Sequence, residues 1–446
     1  MTSDPVPNQT TVCIAGCGPA GAMLGLMLAR AGVDVVVLEK YQDFFRDFRG
    51  DTIHASTLQV LEELGLLTGF QRLPQQRTTS ISLMTDDGML TLGDFTHLPG
   101  RFKALSMVPQ WDFLNYITAD AERYPTFRLH RQAEVTGLIG EAGAVRGVRY
   151  RLRGSEQDDR ELELCAVLTV AADGRHSTLR RAAGLAPVEF GAPLDVLWYR
   201  IPKAAGDPDG SFARLVPGRF LPMIDRGDYW QGAFTMPKGT FAQMKAGGIE
   251  TLRTELRRAM PFLGDRVQTA LRSWDDTGFL EVRVNRLRRW HRPGLLCIGD
   301  AAHAMSPVAG VGINLAIQDA VAAANQLAEP LVNGTVTERD LARVQRRRSL
   351  PTRVTQRMQM LMQRQIVSAA GNPDQPTTIP PPLRILSRTP PLLRLFSRFM
   401  AIGIRNEHVK PALRSQAAAA EAMVASTADG EVIRRGQGGD VNHAER

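Results

Sequence analysis

Two glycine-rich strings in this chain have the spacing needed to hold a phosphorylated cofactor against backbone N–H groups. The first is Gly16-Cys17-Gly18-Pro19-Ala20-Gly21. It follows the β-branched and apolar run Thr11 to Ile14 and opens a run of strong helix formers, Ala22 to Ala31, with Gly32 as the stop. Val33 to Leu38 then reads as a buried parallel strand, which completes a β-α-β unit. In such a unit Gly16 permits the tight turn, Gly18 lets the backbone approach a pyrophosphate, and Gly21 lets helix pack against strand. The N-terminus of the helix that follows has free N–H groups and a dipole that favour phosphate charge, and Pro19 and Ala20 are assigned to the cofactor site with the three glycines. Glu39, followed by Lys40, ends the second strand 18 residues after the third glycine and can accept hydrogen bonds from ribose hydroxyls. A dinucleotide fits this string, and FAD and NAD fit it equally.

The second string separates them. Gly299-Asp300-Ala301-Ala302-His303 follows the strand-like run Leu295 to Ile298 and leads through Ser306-Pro307 to Gly310-Val311-Gly312-Ile313-Asn314. A long apolar-rich helix, Gly312 to Leu327, comes next. An aspartate at a strand end can bind a ribitol hydroxyl, and the free N–H groups of the new helix point at whatever lies before it. A reduced flavin carries negative charge at N1 and the adjacent carbonyl, which a helix N-terminus stabilises. The ligand expected is therefore FAD.

The remaining elements must position these strings. The 446 residues are 43% apolar and 22% charged, a globular balance with room for two domains. The net charge of +8 is concentrated late: from Leu331 onward 18 Lys and Arg face 9 Asp and Glu, a difference of 18 − 9 = +9. The nearly neutral main body argues against nucleic acid as a partner. Cys13, Cys17, Cys165 and Cys297 have no metal-ligand spacing, so no metal is expected, and they suit reduced thiols in the cytoplasm. No secretion signal and no transmembrane run of about 18 apolar residues is expected. Helices are expected over Ser56 to Leu64 and Gln110 to Ala121. A strand-turn-strand is expected over Ile81 to Leu92, and a hairpin of Val145 to Arg151 with Glu161 to Leu168, leading into a further strand, Leu168 to Ala171. From Val188 to Leu280 alternating strands such as Asp195 to Ile201 and Tyr229 to Thr235 indicate an inserted, mostly antiparallel unit. Glu338 to Ser368 has apolar residues spaced by threes and fours, Pro373 to Pro382 is a connector, and the polar tail from Ser426 is expected to fray.

The two strings, with Asp173-Gly174-Arg175-His176-Ser177-Thr178-Leu179-Arg180 between them, resemble the three fingerprints of the group A flavoprotein monooxygenases, the para-hydroxybenzoate hydroxylase-like family. The resemblance covers about residues 10 to 330. It implies an α/β fold: a discontinuous Rossmann-like FAD-binding domain (1–75, 100–187 and 281–330) and an inserted, mostly antiparallel β-sheet substrate domain (76–99 and 188–280). A C-terminal helical region (331–425) and a tail (426–446) follow. By resemblance Asp173 lies near the pyrophosphate and helps admit NADPH or NADH, and Arg49 approaches the FAD. Gln110 contacts its ribitol or phosphate side, and Val135 is assigned to the cofactor site with Gly299, Asp300, Pro307, Gly310, Gly312, Ile313 and Asn314. Ser306-Pro307 departs from the family's usual Pro-Pro, and no thioredoxin-like third domain follows Pro330. His303 is expected to be structural. Tyr199, Met223, Trp230 and Phe234 are the candidates for an aromatic substrate pocket, with Trp198 and Tyr199 unable to face the same side; Arg200 is expected to be solvated.

The activity implied is FAD-dependent monooxygenation. NADPH or NADH reduces the flavin, O2 adds at its C4a atom, and the hydroperoxide delivers one oxygen to a small aromatic or polyketide-like molecule, by hydroxylation or epoxidation. The protein acts as a monomer or homodimer. A reductase of the geranylgeranyl type and a non-redox, FAD-scaffolded cyclase or binding protein are the alternatives. The basic C-terminal helices are expected to pack on the parent domain with arginines outward; an amphipathic surface meeting anionic lipid or a lipophilic substrate is the other reading.

Overall fold

The computed structural model describes residues 6–45, 52–86, 88–154, 160–370, 379 and 381–414. Arg49, most of the proline-rich connector and the tail from Ser426 lie outside these residues.

The chain begins as its glycine pattern predicts, with β1 (Gln9–Ala15), α1 (Pro19–Arg30) and β2 (Val35–Leu38). Helix α2 (Ala55–Glu63), the hairpin β3 (Ser80–Thr85) and β4 (Gly88–Asp94), and helix α3 (Gln110–Ala121) follow. Next come β5 (Phe127–His130), the hairpin β6 (Ala133–Glu141) and β7 (Ala144–Leu152), and β8 (Leu162–Ala171). Strands β14 (Leu295–Cys297, numbered after those of the inserted unit), β8, β1, β2 and β5 lie side by side, all parallel. One face of this sheet is covered by α1 and by α5 (Val311–Val332), the other by the β6–β7 hairpin and Trp290. Sandwiched strands have no wet face, which is why Val35 to Leu38 is apolar without alternation. The expected break at Leu168 is absent. Leu162 to Ala171 is one strand, antiparallel to β7 and parallel to β1, because no turn residue interrupts it.

The second sheet contains β3 and β4 with five strands from the later stretch: β9 (Leu194–Pro202), β10 (Phe212–Val216), β11 (Arg219–Asp225), β12 (Tyr229–Pro237) and β13 (Thr277–Leu280). Their order is β13-β9-β12-β11-β10-β3-β4, antiparallel except where β10 meets β3. The stretch is less purely β than its texture suggests. Helix α4 (Ile249–Ala259) and two shorter helices cover the sheet's outer face, with Leu252, Leu256 and Ala259 inward at helical spacing.

Helix α6 (Glu338–Ala370) packs along α5, with Leu341 and Val344 in the main core. Helices α7 (Pro381–Arg388) and α8 (Pro390–Ile402) lie against β4, where the Asp94 N–H donates to Ser397 Oγ at 2.8 Å. Among the described residues no helix is long and apolar enough to cross a membrane.

Candidate active site

Between the two sheets lies a cavity of about 1290 Å3. That exceeds the roughly 300–1,000 Å3 of a pocket for one small ligand, so there is room for a cofactor and a substrate together. Its first wall is the loop between β1 and α1. Gly16 has φ +94°, and a Cβ there would lie 2.6 Å from the Ala172 carbonyl oxygen. Gly18 and Pro19 border the cavity with Ala20, and nothing lies within 4 Å of where a Gly18 Cβ would be. Gly21 faces inward instead; its Cβ would sit 2.0 Å from the Gly16 carbonyl oxygen. Glu39 and Lys40 continue the wall. The Glu39 carboxylate accepts the Cys17 N–H at 2.9 Å and the Tyr41 N–H at 3.2 Å, which ties the end of β2 to the glycine loop.

Gln110, Val135, Asp173 and Asp300 also line the cavity. Asp173 Oδ2 accepts the N–H groups of Thr178 and Leu179 at 2.7 and 3.2 Å, whereas its Oδ1 is buried without a partner. Burial raises this carboxyl above the usual range despite the opposing hydrogen bonds of Ser177, Leu179 and Thr178. Asp300 is held by Arg175 at 3.3 Å. Beyond it Pro307, Gly310, Gly312 and Ile313 border the cavity at the start of α5. Ala309 has φ +66° and Gly310 φ +60°, two successive left-handed residues that make the turn into α5, where the Gly310 N–H donates to the Pro307 carbonyl at 3.1 Å. For alanine that conformation costs on the order of 1–2 kcal/mol, and such strain clusters at ligand sites.

Three expected cofactor residues are elsewhere. Gly21 and Gly299 are packing positions behind the wall, the latter close to Ala20 and Ala316. Asn314 is fully engaged as a clip: it accepts from the His54 N–H and Thr57 Oγ1, and donates to the carbonyls of Thr52 and Gly310. Arg49 lies outside the described residues.

The aromatic candidates are where the structure departs most from expectation. Tyr199, Trp230 and Phe234 are fully buried on the outer face of the second sheet, against Leu252, Leu256 and Leu263. Met223 touches the cavity wall, yet its sulfur accepts the Tyr199 hydroxyl at 3.4 Å on that same outer side. Period-two alternation assigns the cavity to their neighbours: Trp198 rather than Tyr199, Gln231 rather than Trp230, and Pro222 and Ile224 beside Met223. Arg200 is not simply solvated; its guanidinium lies over the rings of Trp111 and Tyr229. Phe234→Ala is accordingly expected to lower unfolding free energy by about 3–5 kcal/mol, a core cost, while the cavity lining stays intact. Denaturant unfolding alongside a substrate-affinity titration checks this.

The roof comes from the basic C-terminal helices, for which packing on the parent domain was the favoured expectation and contact with a lipophilic substrate the other. Met358, Leu361 and Ile366 of α6, with Leu386 of α7 and Phe396 and Phe399 of α8, close the cavity over the second sheet. His303 lies behind it, buried against Trp290, its Nε2 2.5 Å from Asp319 Oδ2. Asp319 also accepts the Gly299 N–H at 3.1 Å and Arg348 Nε at 2.9 Å. The second glycine string, α5 and α6 thus meet on one buried carboxylate.

The residues present fit FAD: a loop whose Gly18 leaves open space for a pyrophosphate, a bordering glutamate, an unpartnered buried aspartate oxygen and a second helix start face one cavity. A family model described as FAD binding domain matches residues 9–358. The chain is 33% identical over 396 residues to the 6-methylpretetramide 4-monooxygenase of Streptomyces rimosus, which covers 87% of this chain and 93% of that protein. Among solved structures, p-nitrophenol 4-monooxygenase PnpA from Pseudomonas putida aligns with a TM-score of 0.71 at 17% identity, over 90% of this chain and all of that one. PqsL of P. aeruginosa, in complex with 2-aminobenzoylacetate, aligns at 0.67 and 23%, over 82% and 97%. These two likenesses establish the fold. The family match and the long Streptomyces alignment establish more: this chain belongs to the FAD-binding-domain family and is an FAD-dependent monooxygenase.

Proposed function

We propose that the enzyme uses NADPH or NADH and O2 to hydroxylate an aromatic, polyketide-like small molecule of several fused rings held between the second sheet and α6–α8. The observation that carries this reading is the cavity's division into a nucleotide-facing wall of glycine loops and acids and a broad apolar half. When bound, FAD supplies the redox chemistry, accepting hydride and activating O2. In this reading Gly16, Gly18, Pro19 and Ala20 bind the pyrophosphate, and Glu39 and Lys40 the adenosine side. Gln110, Val135, Asp173 and Asp300 orient the ribitol and phosphates. Gly312 and Ile313, in the first turn of α5, present backbone N–H groups to the anionic edge of the ring, and Pro307 and Gly310 border it. Trp198, Pro222 and Ile224 offer flat apolar area to a fused-ring substrate, and the α6–α8 roof excludes water. Residues 76–99 and 188–280 serve as the substrate domain. The alignment with an enzyme named for 6-methylpretetramide supports the ring-system class.

The test is NAD(P)H oxidation by the yellow holoenzyme, with and without O2, across phenols and linear fused-ring polyketides. Stimulation by a fused-ring compound, with one oxygen atom incorporated from O2, is the expected result. Oxygen-independent saturation of a substrate double bond would instead indicate a reductase. Reduction stimulated only by monocyclic phenols would overturn the substrate class.

A further inference from the structure

We propose that the face built by the C-terminal half of α6 with α7 and α8 docks on an anionic phospholipid bilayer, so that the cavity mouth opens toward the membrane. The first observation is where the mouth lies. Leu361, Ile385, Leu392 and Leu395 line the cavity and are also 53%, 57%, 45% and 65% exposed, so they form its rim. Scattered exposed leucines are ordinary; four around one opening into an apolar chamber are a patch of the kind that marks a membrane or ligand surface.

The second observation is charge. Between Leu341 and Asn406 the sequence has twelve arginines and a single acid, Asp374. The ion pairs of this region take up Arg343, Arg347 and Arg348. Arg364, Arg384, Arg388 and Arg398 are exposed and, with Arg394, whose charge also reaches Asp94, interleave with the rim residues on α6, α7 and α8. Apolar side chains at the tip with cations beside them are the composition of an interfacial amphipathic helix, whose apolar side enters the headgroup boundary while its cations meet lipid phosphates. A second copy of this chain is a poorer occupant, because a two-fold contact would set the same arginines against each other. The consequence for the enzyme is that a lipophilic substrate would enter from the bilayer without crossing water. That consequence rests on the substrate reading above; the docking itself does not.

The test uses full-length holoenzyme and sedimentation with vesicles, either pure phosphatidylcholine or phosphatidylcholine with phosphatidylglycerol, at low and high salt. The expected result is co-sedimentation with the anionic vesicles only, weakened by salt. Arg384→Glu combined with Arg388→Glu, positions that do not line the cavity, is expected to lower the vesicle partition coefficient by roughly twenty-fold or more. Flavin content and thermal midpoint should match the parent, and Arg384→Gln with Arg388→Gln gives an intermediate loss should the reversal disturb α7. Protein that stays in the supernatant with anionic vesicles at low salt overturns the proposal. So does binding unchanged in both double variants, and so does a concentration-dependent dimer that the charge reversal dissolves without any lipid binding. Substrate turnover does not enter these readouts, so failure of docking and failure of the substrate assignment are separately visible.

Discussion

Gly18→Ala and Gly21→Ala are expected to weaken flavin retention by different routes, and the contrast between them is the stronger test of the cofactor site. At Gly21 the added Cβ would sit 2.0 Å from the Gly16 carbonyl oxygen and 3.2 Å from Ile14 Cγ2. Neither backbone can yield alone, because Gly16 is itself pinned by its N–H to the Leu38 carbonyl at 2.8 Å. Helix α1 must move off β1, an overpacking cost of about 1–3 kcal/mol or more, and the displaced helix start no longer meets the phosphates. Gly21→Ala should therefore melt earlier and purify colourless. Gly18 is different. Its φ of −73° suits any residue, and nothing in the protein lies within 4 Å of the new Cβ. Apoprotein carrying Gly18→Ala should melt as the parent does, yet need about tenfold or more FAD for half-saturation, because the methyl occupies the space through which a pyrophosphate approaches the backbone. Visible absorbance, FAD titration and thermal melts on both variants are decisive. Undiminished flavin affinity in Gly18→Ala would remove the pyrophosphate from this loop.

The cofactor wall was legible in the sequence because its demands are local. A left-handed turn at Gly16 and a close helix–strand contact at Gly21 each restrict residue type at one position. The parallel strands were legible from unbroken apolar runs, and α3 began at Gln110 as expected. The substrate wall was not legible, and β9 shows why. Aromatic and β-branched residues mark a strand, but which of Trp198 and Tyr199 faces the cavity depends on which side α4 covers. Helix α4 carries its apolar residues at helical spacing, yet it sits among strands and turns whose texture dominates the stretch. The roof depends on docking between elements far apart in sequence. Nothing in the spacing of Leu361 or Phe396 distinguishes a helix packed on a core from one closing a chamber. Asn314 illustrates the converse: its place in the glycine string suggested ligand contact, while its four hydrogen bonds are all spent inside the protein.

Asp319→Asn is expected to destabilise the folded protein by about 3–5 kcal/mol, the usual cost of stranding one partner of a buried ion pair. Asp319 is fully buried and accepts from His303, Arg348 and the Gly299 N–H at 2.5, 2.9 and 3.1 Å. Without its charge Arg348, also buried, keeps Glu407 at 3.5 Å as its one ionic partner among the described residues. Removing both partners, as in Asp319→Leu with Arg348→Met, should cost less than the sum of the single changes, since no unpaired charge remains. The pH dependence has a definite sign. Burial opposes ionisation of Asp319, but His303 and Arg348 outweigh it and hold the carboxyl below its ordinary range. A depressed folded-state value means the stabilisation is complete above the unfolded carboxylate value near ~3.9 and disappears as pH falls through the folded one. The stability gap between the parent and Asp319→Asn should therefore be widest near neutrality and close only in strong acid. Because the same carboxylate holds the Gly299 turn beside Asp300, the variant should also release flavin more readily at neutral pH, measured as free FAD fluorescence after dilution. A melting profile for Asp319→Asn that follows the parent at neutral pH would mean that α5, α6 and the glycine turn are held together by packing alone.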